Sequence, residues 1–218
     1  MPAYFTITFE LNKESNALGE FFNALVRAGL KYKSGCWEFE SNTFDEIIKW
    51  NQNKLDEDFV LGYTEHYSHD YRQMLFEYLD FAEVRLFIMN KKGKRTFSIH
   101  LIVPEDDFVE YVEENGHHFA KRMHMKMEYL KNLAKTVWAD SSVLAIQTSW
   151  EVSGCQDYEK ISLANAPQTE PFSIIPQISF SEEWNMDMQD IGRDGILLEK
   201  SENWFPIYSM DLIPVHRN

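Results

Sequence analysis

The sequence predicts an α+β protein: an antiparallel or mixed sheet with a central hairpin at about 83–103 and helices mainly on one face. Three observations carry that prediction. Tyr4 to Leu11 alternates, with Phe5, Ile7, Phe9 and Leu11 on one side and Thr6, Thr8 and Glu10 on the other, the period of a half-buried strand. Leu18, Phe21, Phe22, Leu25 and Val26 then recur at three- and four-residue spacing, the period of an amphipathic helix. Two β-rich runs, "EVRLFIMN" and "RTFSIHLIVP", flank Lys91-Lys92-Gly93-Lys94, where Gly93 supplies the positive φ of a tight connection.

The remaining elements follow in order. Ser15 is expected to cap the first helix and Gly29 to close it. A short strand is expected around Cys36 to Phe39. Thr43 with Glu46 three residues on has the spacing of a capping box and opens a second helix. Tyr71, Met74, Leu75, Tyr78 and Leu79 suggest helix for the second half of 55–80. In the hairpin, Phe87 and Ile102 are apolar on the second face, so it is expected to be covered on both sides.

Pro104 is read as opening a short helix to about Glu114, stopped by Asn115-Gly116. Glu105, Asp106 and Asp107 suit the positive end of its dipole, whereas Glu113 and Glu114 sit at the disfavoured end. A long helix is expected from about His118 to Trp138, burying Phe119, Met123, Met127, Leu130, Leu133, Ala134 and Val137. Its cations Lys121, Arg122, Lys126, Lys131 and Lys135 are read as an internal complement to the preceding acids. A strand at Ser142–Val152 follows. The chain closes with short apolar runs and a hairpin expected around Ser201-Glu202-Asn203. Residues 1–218 are expected to form a single α+β domain, with 156–218 as an irregular, β-containing appendage packed on the main body.

Composition bounds function. Of 218 residues, 21 are Lys or Arg and 35 are Asp or Glu, a formal charge of −14. Phosphate contacts come from Lys and Arg, so direct nucleic-acid binding and an anionic membrane surface are disfavoured. Cys36 and Cys155 are the two cysteines, too few for a disulfide scaffold or a thiolate-rich zinc site. The first residues lack the pattern of a signal peptide, and no apolar run is long enough to span a membrane. The expectation is a soluble, reduced, cytoplasmic protein. No phosphate-binding loop, dinucleotide fingerprint, nucleophile elbow or H-E-x-x-H pattern is present, so no cofactor is implied.

Two kinds of site are suggested. "YTEHYSHDY" places His66, His69 and Asp70 within reach of one cation if the segment is helical. Acids interleaved with aromatics suggest a docking surface for a basic protein: Glu110, Glu113 and Glu114, and Glu182, Glu183, Trp184 and Asp187. In size and composition alone, the chain is similar to bacterial immunity proteins, which neutralise toxins that are often basic nucleases. That resemblance implies an acidic inhibitor-type binding module. The alternatives are a metal-assisted enzyme and a structural or regulatory subunit.

Overall fold

The computed structural model describes residues 4–60, 69–114, 117–122, 124–150, 155–200 and 212–214, of which 109–114, 117–122, 140 and 212–214 are described by backbone alone. The chain is α+β, and its described residues form a nine-stranded antiparallel sheet, a smaller three-stranded one and four helices. The strands are β1 (Tyr4–Asn12), β2 (Lys31–Gly35), β3 (Met74–Glu77), β4 (Val84–Asn90), β5 (Thr96–Pro104), β6 (Val109–Glu114), β7 (His117–Arg122), β8 (Ala145–Trp150), β9 (Phe172–Pro176), β10 (Asp187–Gly192), β11 (Gly195–Glu199) and β12 (Leu212–Pro214). The helices are α1 (Ala17–Arg27), α2 (Phe44–Asp56), α3 (His124–Asp140) and α4 (Tyr158–Ile161).

The large sheet runs β10-β11-β9-β8-β1-β5-β4-β3-β2, and a small one runs β12-β7-β6. Strand β1 is therefore the middle strand, held by β5 on one side and β8 on the other. Its apolar face, Phe5, Ile7, Phe9 and Leu11, is fully buried beneath α1, α2 and α3. Burying side chains of that size contributes about 1.5–3 kcal/mol each, so this layer dominates the core. A smaller cluster on the opposite face, around Ala145, Ile175, Ile196 and Leu198, is closed by Ile161 of α4.

Several local expectations hold for the stated reasons. Thr43 and Glu46 form a full capping box at the start of α2. Gly29 and Gly93 both adopt positive φ, at 101° and 71°. Gly93 N–H also donates to Asp58 at 2.8 Å, and Lys13 reaches the same carboxylate at 2.5 Å, fixing the β4–β5 connection to α2.

Others are overturned. Asn16 flanks the start of α1 in a left-handed conformation (φ 72°) and without a side-chain cap bond, so Ser15 does not cap it. The strand expected at Cys36–Phe39 is β2, which ends at Gly35, and Trp37–Phe39 is a 3-10 turn. The helix expected around 71–79 is strand β3, whose buried Met74 and Phe76 also fit a period of two.

The largest correction concerns 104–122. Glu105–Phe108 is a single 3-10 turn, and Val109–Glu114 is a strand paired with His117–Arg122, so Glu110, Glu113 and Glu114 lie on β6 and not on a helix. Val109-Glu110-Tyr111-Val112 is rich in β-formers, and cross-strand pairing outweighed the dipole argument. Helix α3 consequently starts at His124, without Phe119. Met123 lies outside the described residues, but Met127, Leu130, Leu133, Ala134 and Val137 do form its buried face. At the far end, β11 pairs with β10 and β9, and β12 pairs with β7. The hairpin expected around 201–203 falls outside the described residues.

Strand β1 is also buried on both faces. Thr6, Thr8 and Glu10 are 0, 4 and 7% exposed, where a half-buried strand predicted solvent. The segment 155–170 lies over this polar side and creates the site described next.

Candidate functional site

The middle of the sheet carries a row of residues in direct register across five strands: Phe87, His100, Thr8, Gln147 and Ser173. They point to the face opposite α1–α3, and register alone brings them together. Phe87 stacks on the His100 imidazole with centroids 5.0 Å apart and planes 13° from parallel. Thr8 Oγ1 lies 3.0 Å from His100 Nδ1, and Ser98 Oγ lies 2.9 Å from Nε2. Gln147 turns its amide to the covering segment, accepting from Gln156 N–H at 3.0 Å and Gln168 N–H at 2.8 Å. It also donates to the Gln156 carbonyl at 2.7 Å.

That anchoring delivers Cys155 to the row. Its thiol donates to Thr8 Oγ1 at 3.2 Å, and the Ser149 hydroxyl also bonds the sulfur. Thr8, Ser98, His100 and Cys155 line a cleft of about 160 Å³, shared with Glu10, Lys91, Thr96 and Asp157. Glu10 accepts from Thr96 Oγ1 and from Tyr158 N–H, each at 2.7 Å. Lys91 pairs with Asp157 at the mouth.

Burial sets the charge states. Desolvation depresses the His100 pKa to about 4, assisted by the Lys91 charge, so the ring is neutral at pH 7. Desolvation also raises Glu10 and Cys155 above their ordinary values, against hydrogen bonds that favour their ionised forms. The arrangement is a thiol on the covering segment followed, in hydrogen-bonded sequence, by two hydroxyls and a neutral imidazole on the strands.

None of these residues was singled out from the sequence. The available signal was weak: polar residues at every second position of a strand that pairs on both sides.

The sequence-suggested residues are dispersed. Glu182 and Glu183 are exposed on a 3-10 turn, and Asp187 is exposed at the start of β10. Trp184 is half-buried and packs edge-to-face on Phe180 at 5.8 Å. Register sets Glu110 opposite Lys121, Glu113 opposite His118 and Glu114 opposite His117. Two helix cations form ion pairs: Lys126 with Asp107 at 3.2 Å, and Lys131 with Glu128 and Glu199 at 2.7 Å each. Of the suggested metal donors, His66 lies outside the described residues, His69 is exposed and Asp70 is buried. Among the described residues, no three His, Cys, Asp or Glu side chains converge on a cation position. No described helix is long and apolar enough to cross a membrane.

The fold and cleft define a class, an α+β protein on a nine-stranded antiparallel sheet with a buried polar row ending in a thiol. No protein-family model matches the chain, and no curated protein matches it either.

Proposed function

We propose that this chain is an acidic protein-binding module that docks a basic protein segment against the β10 edge of its sheet. The observation that carries the reading is the character of that edge. Strand β10 ends the nine-strand order, and Asp187, Met188, Gln189 and Asp190 are all exposed along it. Glu182 and Glu183 add two carboxylates immediately before it. Exposed Ile178 and Met188, at 93% and 53%, and half-buried Trp184 supply apolar area beside the charge.

An exposed edge offers unpaired N–H and C=O groups to an added strand. Carboxylates around it raise the encounter rate with a cationic partner, and desolvated apolar groups hold it once docked. A basic nuclease neutralised by an immunity-type inhibitor is the partner class this charge fits. The partner's phosphate-binding cations would be occupied by Glu182, Glu183 and Asp187. The register that sets Lys121, His118 and His117 opposite Glu110, Glu113 and Glu114 makes that hairpin the weaker candidate.

The test is capture of a basic host protein at about 50 mM and about 500 mM salt, where screening lengths differ severalfold. Capture should occur at low salt, weaken at high salt, and be lost in the triple variant E182K/E183K/D187K. Retention of the same protein by the folded triple variant would refute the assignment of this edge.

A further inference from the structure

The nine-stranded sheet is open, and its two ends differ in charge. Among the described residues, no strand pairs with the outer side of β10 or with the outer side of β2. The β10 end carries Glu182, Glu183, Asp187 and Asp190, all exposed. Strand β2 carries exposed Lys31 and Lys33 and no acid of its own. Apolar groups stand beside each edge. Ile178 and Met188 are exposed at the acidic one. Trp37, two residues past the end of β2, is 63% exposed and holds φ at 54°, a costly region for a bulky side chain.

We propose that the occupant of the acidic edge is a second copy of this chain, whose β2 adds to β10 and carries the sheet from one molecule into the next. The assignment rests on β10 being a docking edge for a basic segment, and it names Lys31–Gly35 as that segment. The strands are of similar length, five residues in β2 and six in β10. Their faces also agree. Tyr32 stacks on Phe44 of α2 at 5.0 Å, which turns its neighbour Lys31 to the face away from the helices. Asp190 takes that same face, because it pairs with Ile196 of the cluster closed by α4. A sheet continued with its long helices on one side therefore sets Lys31 and Asp190 on one face of neighbouring strands, where opposite charges attract.

Lysine on an edge strand is also a device that keeps edges apart. It repels a like edge, whereas the other end of this sheet is unlike. That reading also leaves the exposed indole of Trp37 without a use. The formal charge of −14 opposes association at long range. At about 0.15 M salt, charges more than about 8 Å apart are largely screened, so the groups at contact decide.

Because the two edges differ, the contact is head-to-tail, and each added copy leaves one acidic and one basic edge open. Light scattering on the purified full chain, at about 0.15 M salt and up to about 1 mM protein, should show a mass that rises with concentration past the dimer. The variants K31E/K33E and E182K/E183K/D187K, each by itself, should stay single chains. Mixed in equal amounts they should assemble again, since every acidic edge then meets a basic one. Both variants remain net acidic, so recovery on mixing reports the edges and not the overall charge. A wild type that stays a single chain across the range overturns the proposal. So does a variant that assembles by itself as the wild type does, or a mixture that stays monomeric. All the substituted side chains are exposed, and the wild-type series decides the matter without them. Only the purified chain is used, so a failure here is distinct from a failure to capture a basic host protein.

Discussion

Gln147 and Gln156 are joined by two hydrogen bonds, in which the Gln147 side-chain amide donates to the Gln156 carbonyl at 2.7 Å and accepts from the Gln156 N–H at 3.0 Å. The side chain imitates the edge of a neighbouring strand and so holds the segment from Cys155 against the sheet, and an isolated bridge (Thr148 to Thr169) continues the contact. Gln147 is 1% exposed beneath the segment, so in the closed structure its amide is satisfied by the segment's backbone.

Gln147→Leu should therefore destabilise the protein by about 2–4 kcal/mol, since it strands the backbone groups of Gln156 and Gln168. Urea denaturation measures the loss. Faster amide exchange confined to 155–170, with β1 and β5 still protected, would show that the cover opens before the sheet does.

His100 gives stability a particular pH dependence. Its folded pKa is about 4, below the 6.5 of an unfolded chain. The unfolded chain takes up a proton that the folded chain refuses, so the stabilisation is whole above pH 6.5 and is lost as pH falls towards 4. Within that window the slope reaches about 1.4 kcal/mol per pH unit. Glu10, raised by burial, acts in the opposite sense near its own range. The readout is thus the difference between wild type and His100→Gln in urea midpoints at several pH values. The variant should lose the His100 share of the slope between pH 6.5 and 4.

Lys126 and Asp107 form an ion pair in which each side chain is 7% exposed, and Asp107 also accepts from Ala82 N–H at 3.1 Å. Lys126→Met alone leaves a buried carboxylate without its cation and should cost about 3–5 kcal/mol. Adding Asp107→Asn removes that charge while keeping an acceptor for Ala82. The double variant should recover most of the loss in a thermal or urea titration.

Gly195 has no room for a methyl group. A Cβ there would overlap the indole of Trp138, which is 2% exposed and stacked by Arg193 at 4.5 Å. Arg193 in turn donates to the carbonyls of Trp138, Ser141 and Val143, closing the end of α3. Gly195→Ala should cost about 1–3 kcal/mol through overpacking and should weaken near-ultraviolet tryptophan ellipticity.

Much of the architecture could be read locally. The period-two faces of β1, β4 and β5, the period of α1 and the Thr43–Glu46 box are each specified within about a dozen residues, so no distant partner is needed to recognise them. The stretch 104–122 resisted because Asn115-Gly116 is compatible with a helix stop and with a hairpin connection, and the pairing of β6 with β7 chose between them. The same competition decided 74–77, where burial of Met74 and Phe76 fits either period.

By itself the sequence determined the α+β class, the first helices, the β4–β5 hairpin and the acidic charge, because these depend on spacing and composition. Only the tertiary structure decided that Thr8, His100, Ser98 and Cys155 meet. Strand register set Thr8 opposite His100, and the Gln147 anchor brought in Cys155 from 147 positions away. Such a site arises from pairings between strands and a covering segment, and those are energetically fixed by the packed whole, with no trace in local periodicity.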